Sequence, residues 1–465
     1  MIAALLVLVL AAIILVTRGR IITAVPFGAA AAVAMRLPHS DVLIGVVAFS
    51  LFVLVARWVI RDRLDLASGL LTIYAGMLTI ELARAEHDFS SFGHVALRTG
   101  GDDWLAYESQ AHTVLAGSLR GGEGVFVYSP AFRYMLALGH AMFGNGDGRV
   151  TLAVLAAITT SLLSFALIVV ARARWHLLPG QKMLGASPRR LLVVAPMLLA
   201  VLAGTLLVTS AAVVSITRDP LSEPPTWILI TIACTLLLLV RERWAFVTAA
   251  GVCALALVTR NDQGIGLLTL IAYGAVALLR YRRNRQQSLK PLLSTSVAAV
   301  AVFAVIALLP AAHNLYFANR LQLVVNSVNI PQNFPLSHPD VPHPCCNGAA
   351  QSRLVRQLRL LLVLGGGQNK AFVATIRLIQ ALWLGALLLA VFRWKRLDLL
   401  THLISILPAA FLLPHLFLDL ANYYPRHIIV GYLMMSLSAM YVFGRYASLN
   451  AQPAAHTQPR SPARG

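Results

Sequence analysis

Apolar runs separated by short basic clusters make up almost the whole chain. Runs such as Ile2 to Val16, Leu152 to Ala171 and Leu292 to Ala312 approach or reach the roughly 20 residues that a helix needs to cross a hydrocarbon core. Barrel strands alternate apolar and polar faces, and these runs do not, so the predicted elements are helices that satisfy their own backbone groups. The basic clusters are Arg18/Arg20, Arg57/Arg61/Arg63, Arg172 to Arg190, Arg241/Arg243, Arg280 to Lys290, Arg393 to Arg396 and the tail from Arg445. Successive clusters are separated by two apolar spans. Placing every cluster in the cytoplasm gives a consistent topology of about thirteen transmembrane helices, with the N-terminus outside and the C-terminus inside. Met1 to Val16 has no Lys or Arg ahead of it and no small-residue cleavage motif, and is read as a span.

This topology leaves two long segments outside, 83–148 and 313–370, with shorter outer turns at 36–41, 217–225, 259–264 and 414–427. No internal repeat divides the chain into inverted halves. The reading is one membrane domain over 1–445 followed by a Pro- and Ala-rich tail, 446–465, expected to be disordered and cytoplasmic.

Composition agrees with this and narrows it. Of 465 residues, 58% are hydrophobic and 12% charged, and a soluble domain could not bury so much apolar surface. The mean hydropathy is +0.75. The net charge of +20 follows from the basic loops, so no nucleic-acid partner is expected. Of the four cysteines, Cys234 and Cys253 fall in spans and Cys345 and Cys346 adjoin in a polar loop, which is no disulfide framework.

The polar stretch Gly100 to Gly144 carries the clearest chemistry. After Asp102 and Asp103, the residues Trp104, Tyr107, Ala111, Val114, Leu115 and Leu119 recur at helical spacing, predicting an amphipathic helix at the membrane surface with both carboxylates in its first turn. Asp at that position also caps a helix and complements its dipole, so its presence fits a structural role as well. Tyr128-Ser-Pro130 breaks the chain, and Phe132 to Phe143 follows as a second helix, making a lid with paired carboxylates at its edge.

Asp-Asp, a Tyr four residues on, an Ala/Gly helix, Tyr-x-Pro, the aromatic-Arg pair Phe132/Arg133 and Phe-Gly before the next span resemble the first extracytoplasmic loop of GT-C fold glycosyltransferases. These multispanning enzymes include protein O-mannosyltransferases and aminoarabinose transferases. The resemblance implies an all-α polytopic bundle, a polyprenyl-phosphate-linked sugar as donor, and an acidic residue of this loop as catalytic base, here Asp103 or Asp102. In that family the acid commonly lies nearer the end of the preceding helix, which keeps Asp88 as a rival. Tyr128 and Arg133 are candidate substrate contacts by the same match.

Other outer turns fit that picture. Thr217 to Pro225 carries Arg218, Asp219 and Glu223, and Thr259 to Asp262 carries Arg260, while interfacial hydration alone would also accommodate such residues. The string Tyr423-Tyr-Pro-Arg-His427 resembles the aromatic/Arg turn before the last GT-C helices. Its Arg426 beside His427 suits a lipid phosphate, since guanidinium offers paired donors and stays charged; snorkelling to headgroups is the plainer role. In the second long segment, His338, Asp340, His343, Cys345 and Cys346 match no zinc-ligand spacing, and a metal site is not assigned there. Arg353, Arg356 and Arg359 share one helical face and suit anionic membrane lipid.

The expected activity is therefore sugar transfer from a polyprenyl-phosphate carrier to a glycan, lipid or protein acceptor, of the inverting type, with no nucleotide loop required. No cofactor is read from the sequence, and a divalent metal is compatible with it. The rival class is a transporter or flippase of a lipid-linked glycan. Transporters concentrate polar residues near the bilayer midplane, whereas here the ionisable residues mark helix ends.

Overall fold

The computed structural model describes residues 103–118, 126, 130–143, 147–173, 188–218, 221–240, 242–283, 290–322, 370–417 and 428–450. Among these, 90% are helical and none lies in a strand, so the all-α expectation holds. The expected spans before residue 100, and most of the second long outer segment, lie outside the described residues.

A hairpin, α1 (Asp103–Leu115) and α2 (Pro130–Phe143), precedes the long helices α3 (Asp147–Arg172) and α4 (Pro188–Val208). Then come the short α5 (Ala211–Arg218) and α6 (Glu223–Cys234), which ends in a π turn, Thr235–Leu239. Next, α7 (Arg243–Thr259) leads through a single 3-10 turn, Asn261–Gln263, into α8 (Gly264–Arg283) and α9 (Lys290–Ala318). The described chain closes with α10 (Lys370–Phe392), α11 (Leu399–Phe417) and α12 (Ile429–Asn450).

The count of about thirteen membrane helices is not supported: the described residues form twelve α-helices. Three stretches, Asn261–Arg283, Pro291–Ala318 and Lys370–Phe392, are long and apolar enough to cross a membrane by themselves. Of the other described helices, α3, α4 and α12 are also long, whereas α1 and α2 build the lid, α5 is eight residues long, and α6 and α7 are shorter.

The core is built around α12, which is apolar nearly all round and buried from Ile429 to Ala447 against α3, α4, α10 and α11. Its polar side chains are satisfied across the helix pairs. Ser436 Oγ donates to Ala200 O at 3.0 Å and Ser438 Oγ to Ile404 O at 2.8 Å. The helix continues to Asn450, past the expected tail boundary at 446. The reason is contact rather than composition: Ala447 is buried, and Arg445 Nη2 lies 3.5 Å from Asp398 Oδ2 at the start of α11. Likewise α9 runs to Ala318, beyond the boundary at 313, because Asn314 is buried against the lid.

Basic clusters distant in sequence converge at one end of the bundle. Arg172, Arg280 and Arg445 line one cavity there with Glu242 and Asp398, while the turns before α6 and α8 and the α1/α2 hairpin occupy the other end.

Close helix approach depends on glycine at the α8/α11 crossing. A Cβ at Gly266 would stand 2.5 Å from Cδ1 of Phe411, which is fully buried and has no room to yield. At Gly385 the nearest atom is Phe443 Cζ at 3.7 Å. Gly266→Ala is expected to destabilise the purified protein by about 1–3 kcal/mol through overpacking. Gly385→Ala should be neutral or slightly stabilising through helix propensity. Thermal melting in detergent checks both, and equal melting temperatures for the two variants would contradict this packing.

Candidate functional site

Composition and spacing explain the lid locally. Asp103 opens α1, where a carboxylate complements the helix dipole, and Pro130 occupies the first position of α2, where a missing N–H costs nothing. Tyr107 and Ala111, one turn apart, pack against Phe132, Leu136 and Ala137 of α2 as a small core of their own. The Tyr107 and Phe132 rings meet edge-on at 4.8 Å. Among the described positions of the apolar face predicted to lie on the membrane surface, Tyr107 and Ala111 are covered by the second lid helix and Leu115 is exposed.

Arg133, a candidate substrate contact, is fully buried, its guanidinium 4.8 Å from the Phe126 ring centroid. Phe126 in turn stacks on His313 at 3.8 Å, and its N–H donates to Asn314 Oδ1 at 2.9 Å. This chain of contacts fastens the lid to the end of α9. Stacking of a desolvated guanidinium on an aromatic face contributes up to about 2 kcal/mol.

Beneath the lid lies a buried charge cluster. Glu223 opens α6, Arg260 follows α7 and Asp262 lies in the 3-10 turn, so three helix ends meet in one place. Arg260 Nη1 is 2.9 Å from Glu223 Oε1 and its Nη2 2.7 Å from Asp262 Oδ2, while Nε also donates to Asp262 Oδ2 at 3.0 Å. The three side chains are 14%, 3% and 12% exposed. Burial alone would lower the affinity of Arg260 for its proton, but the charges of Asp262 and Glu223 outweigh it and hold the group above its usual value. Met135 Sδ of α2 lies 3.9 Å from Thr259 Oγ1, next in the chain to Arg260, so the lid packs beside this cluster.

The lid also brings together residues that sequence reasoning missed. Glu108 and His112 are one turn apart on α1, and His140 comes from α2. His140 Nε2 lies 2.8 Å from Glu108 Oε2, and His112 Nε2 lies 3.8 Å from the same oxygen. The Glu-x-x-x-His spacing was visible in the sequence, but nothing local pairs it with a residue of another helix.

The remaining sequence candidates fall wholly or partly outside what the structure describes. The backbone of Asp103 opens α1 and that of Arg218 ends α5, but their side chains are outside the described set. Asp88, Asp102, Tyr128, Arg426 and His427 lie outside the described residues altogether, as do His338 to Cys346 and the Arg353 helix. A cavity of about 730 Å³ lies at the far, basic end of the bundle, lined by Arg172, Arg280, Asp398 and Arg445, and does not reach the lid. No protein-family profile, curated protein or solved structure matches the chain.

Removing Arg260 would strand two carboxylates in a dry site. Arg260→Met is expected to cost about 3–5 kcal/mol, the usual penalty for breaking a buried pair from one side. Replacing Glu223 and Asp262 by Gln and Asn in the same chain should restore much of it. Melting curves of the single and triple variants check this, and a stable single variant would contradict it.

Proposed function

We propose that this chain is an integral-membrane glycosyltransferase of the GT-C type, transferring a sugar from a polyprenyl-phosphate carrier to an acceptor on the outer side of the membrane. The observation that carries the reading is the placement of the Asp103-headed hairpin over the Arg260 cluster, at the end of the bundle opposite the basic loops. If the basic end faces the cytoplasm, the lid end faces outward, where lipid-linked sugars are used.

In this reading Asp103 or Asp102, with Asp88 as the alternative, takes the proton of the acceptor hydroxyl as its oxygen attacks the anomeric carbon. The bond from that carbon to the phosphate oxygen breaks, and its electron pair leaves with the phosphate. Arg426 and His427, with Arg218, offset the charge that develops there. Arg260 already neutralises Glu223 and Asp262, so its role is to hold the helix ends beside the lid rather than to meet phosphate.

Asp103→Asn keeps size and capping ability but cannot accept the acceptor's proton. It is expected to reduce transfer by on the order of 100-fold to 10,000-fold at an unchanged melting temperature. Near-normal turnover removes Asp103 from the role, and Asp102→Asn and Asp88→Asn alongside identify its bearer. Arg426→Ala should impair use of the lipid-linked donor far more than Arg353→Ala, since a turn beside a helix start is a better phosphate site than a lipid-facing helix; equal losses would contradict the assignment.

One observation favours the transporter reading: the polar cavity at the basic end, distant from the lid. A flippase would move a labelled lipid-linked glycan across proteoliposomes with Asp103→Asn as fast as the parent, and neither would transfer sugar.

A further inference from the structure

We infer that Glu108, His112 and His140 form a binding site for a divalent first-row metal ion, zinc foremost, that clamps the two lid helices together. The inference stands on the geometry of the lid and does not depend on the transferase reading.

The ligand chemistry comes first. Two imidazoles and one carboxylate, with a fourth position left open, are a recurrent zinc set, and together they present one negative charge to a dication. The three donor atoms all lie within 4.8 Å of one another. Metal–ligand bonds of about 2.0–2.1 Å at tetrahedral angles place donor atoms roughly 3.3 Å apart. The separations of 2.8 Å for His140 to Glu108 and 3.8 Å for His112 to Glu108 lie on either side of that value. Each of these needs a half-ångström adjustment, and the widest pair, at up to 4.8 Å, must close by about 1.5 Å, which the exposed His112 side chain can supply by rotating inward. The two imidazoles already stack at 5.1 Å, inclined by 27°, which brings both rings alongside the one carboxylate.

Burial supplies an independent pointer. The Glu108 side chain is 8% exposed, and its Oε1 is buried with no hydrogen-bond partner among the described residues. A Glu–His hydrogen bond alone uses Oε2 and leaves Oε1 stranded, a desolvation cost of about 1–3 kcal/mol, more for a charge. An ion held by this carboxylate would supply the missing positive partner. His140 is wholly buried while His112 is 49% exposed. Two ligands are thus fixed inside the lid, and the third stands at its mouth, which gives the ion an entry path and opens the fourth position toward solvent.

The supporting structure is rigid. Glu108 and His112 share one face of α1 by their spacing, and His140 is held opposite by the packing of Phe132, Leu136 and Ala137 against Tyr107 and Ala111. Met135 of the same hairpin lies 3.9 Å from Thr259, next in the chain to Arg260. Metal occupancy would therefore fix the lid where it packs beside the charge cluster.

The test uses the full chain, purified in detergent and stripped with a chelator, with His338→Ala, His343→Ala, Cys345→Ser and Cys346→Ser introduced so that the other ligand-rich segment cannot bind. Zinc is titrated by calorimetry, and cobalt by the visible absorption of a tetrahedral site. The parent is expected to take up a single ion and to melt higher when loaded. His112→Ala, at an exposed position that should not disturb folding, and Glu108→Gln are each expected to weaken binding by more than about 100-fold, beyond what loss of an outer-sphere partner costs. Absence of binding by the folded parent overturns the site. Binding that survives unchanged in both variants also overturns it, since the ion would then be held elsewhere.

Discussion

A guanidinium held between two carboxylates, away from water, is the constraint on which the lid end of this protein depends. Arg260 joins the start of α6 to the turn between α7 and α8, and the cluster tolerates burial because each charge has an opposite charge within 3 Å. Break it and three helix ends lose their common anchor. The lid meets the end of α7 beside this anchor through Met135, and meets α9 through Phe126, so it is tied to the bundle at two places.

The two ends of the molecule divide their work by charge. At the lid end the described Arg260, Glu223 and Asp262 are buried and neutralise one another, whereas at the other end Arg172, Arg280 and Arg445 surround an open polar cavity with Asp398 among them. Asp398 also accepts the Thr401 N–H at 3.0 Å at the start of α11. Burial works against its ionisation, but the Thr401 hydrogen bonds and the charges of Arg445 and Arg280 prevail and keep the carboxyl below its usual range. A metal ion in the lid would add the one strong positive charge that the Glu108 carboxylate lacks.

Much of the helical architecture was legible because apolar runs and their punctuation are local. The outer turns at 217–225 and 259–264 were readable from charged and Pro residues between spans, and α6 and α8 begin within them. Long-range pairings were not. Nothing near Glu223 in the chain announces Arg260, nothing near Glu108 announces His140, and nothing near Arg133 announces that its guanidinium stacks on Phe126. The apolar stripe of α1 was read correctly as a stripe, but which surface covers it is a property of α2. The end of α12 is set in the same way, since Ala447 and Arg445 are fixed by contacts with the core and with Asp398.

The account as a whole requires the lid and the basic cavity to face opposite sides of the membrane. Single cysteines at Ser118, exposed just after α1, and at Lys395, exposed in the turn before α11, probe the two ends directly once the four natural cysteines are replaced. With a membrane-impermeant thiol reagent, Ser118→Cys is expected to label in intact cells, and Lys395→Cys only after lysis. Labelling of both from one side, or the reverse pattern, would contradict it.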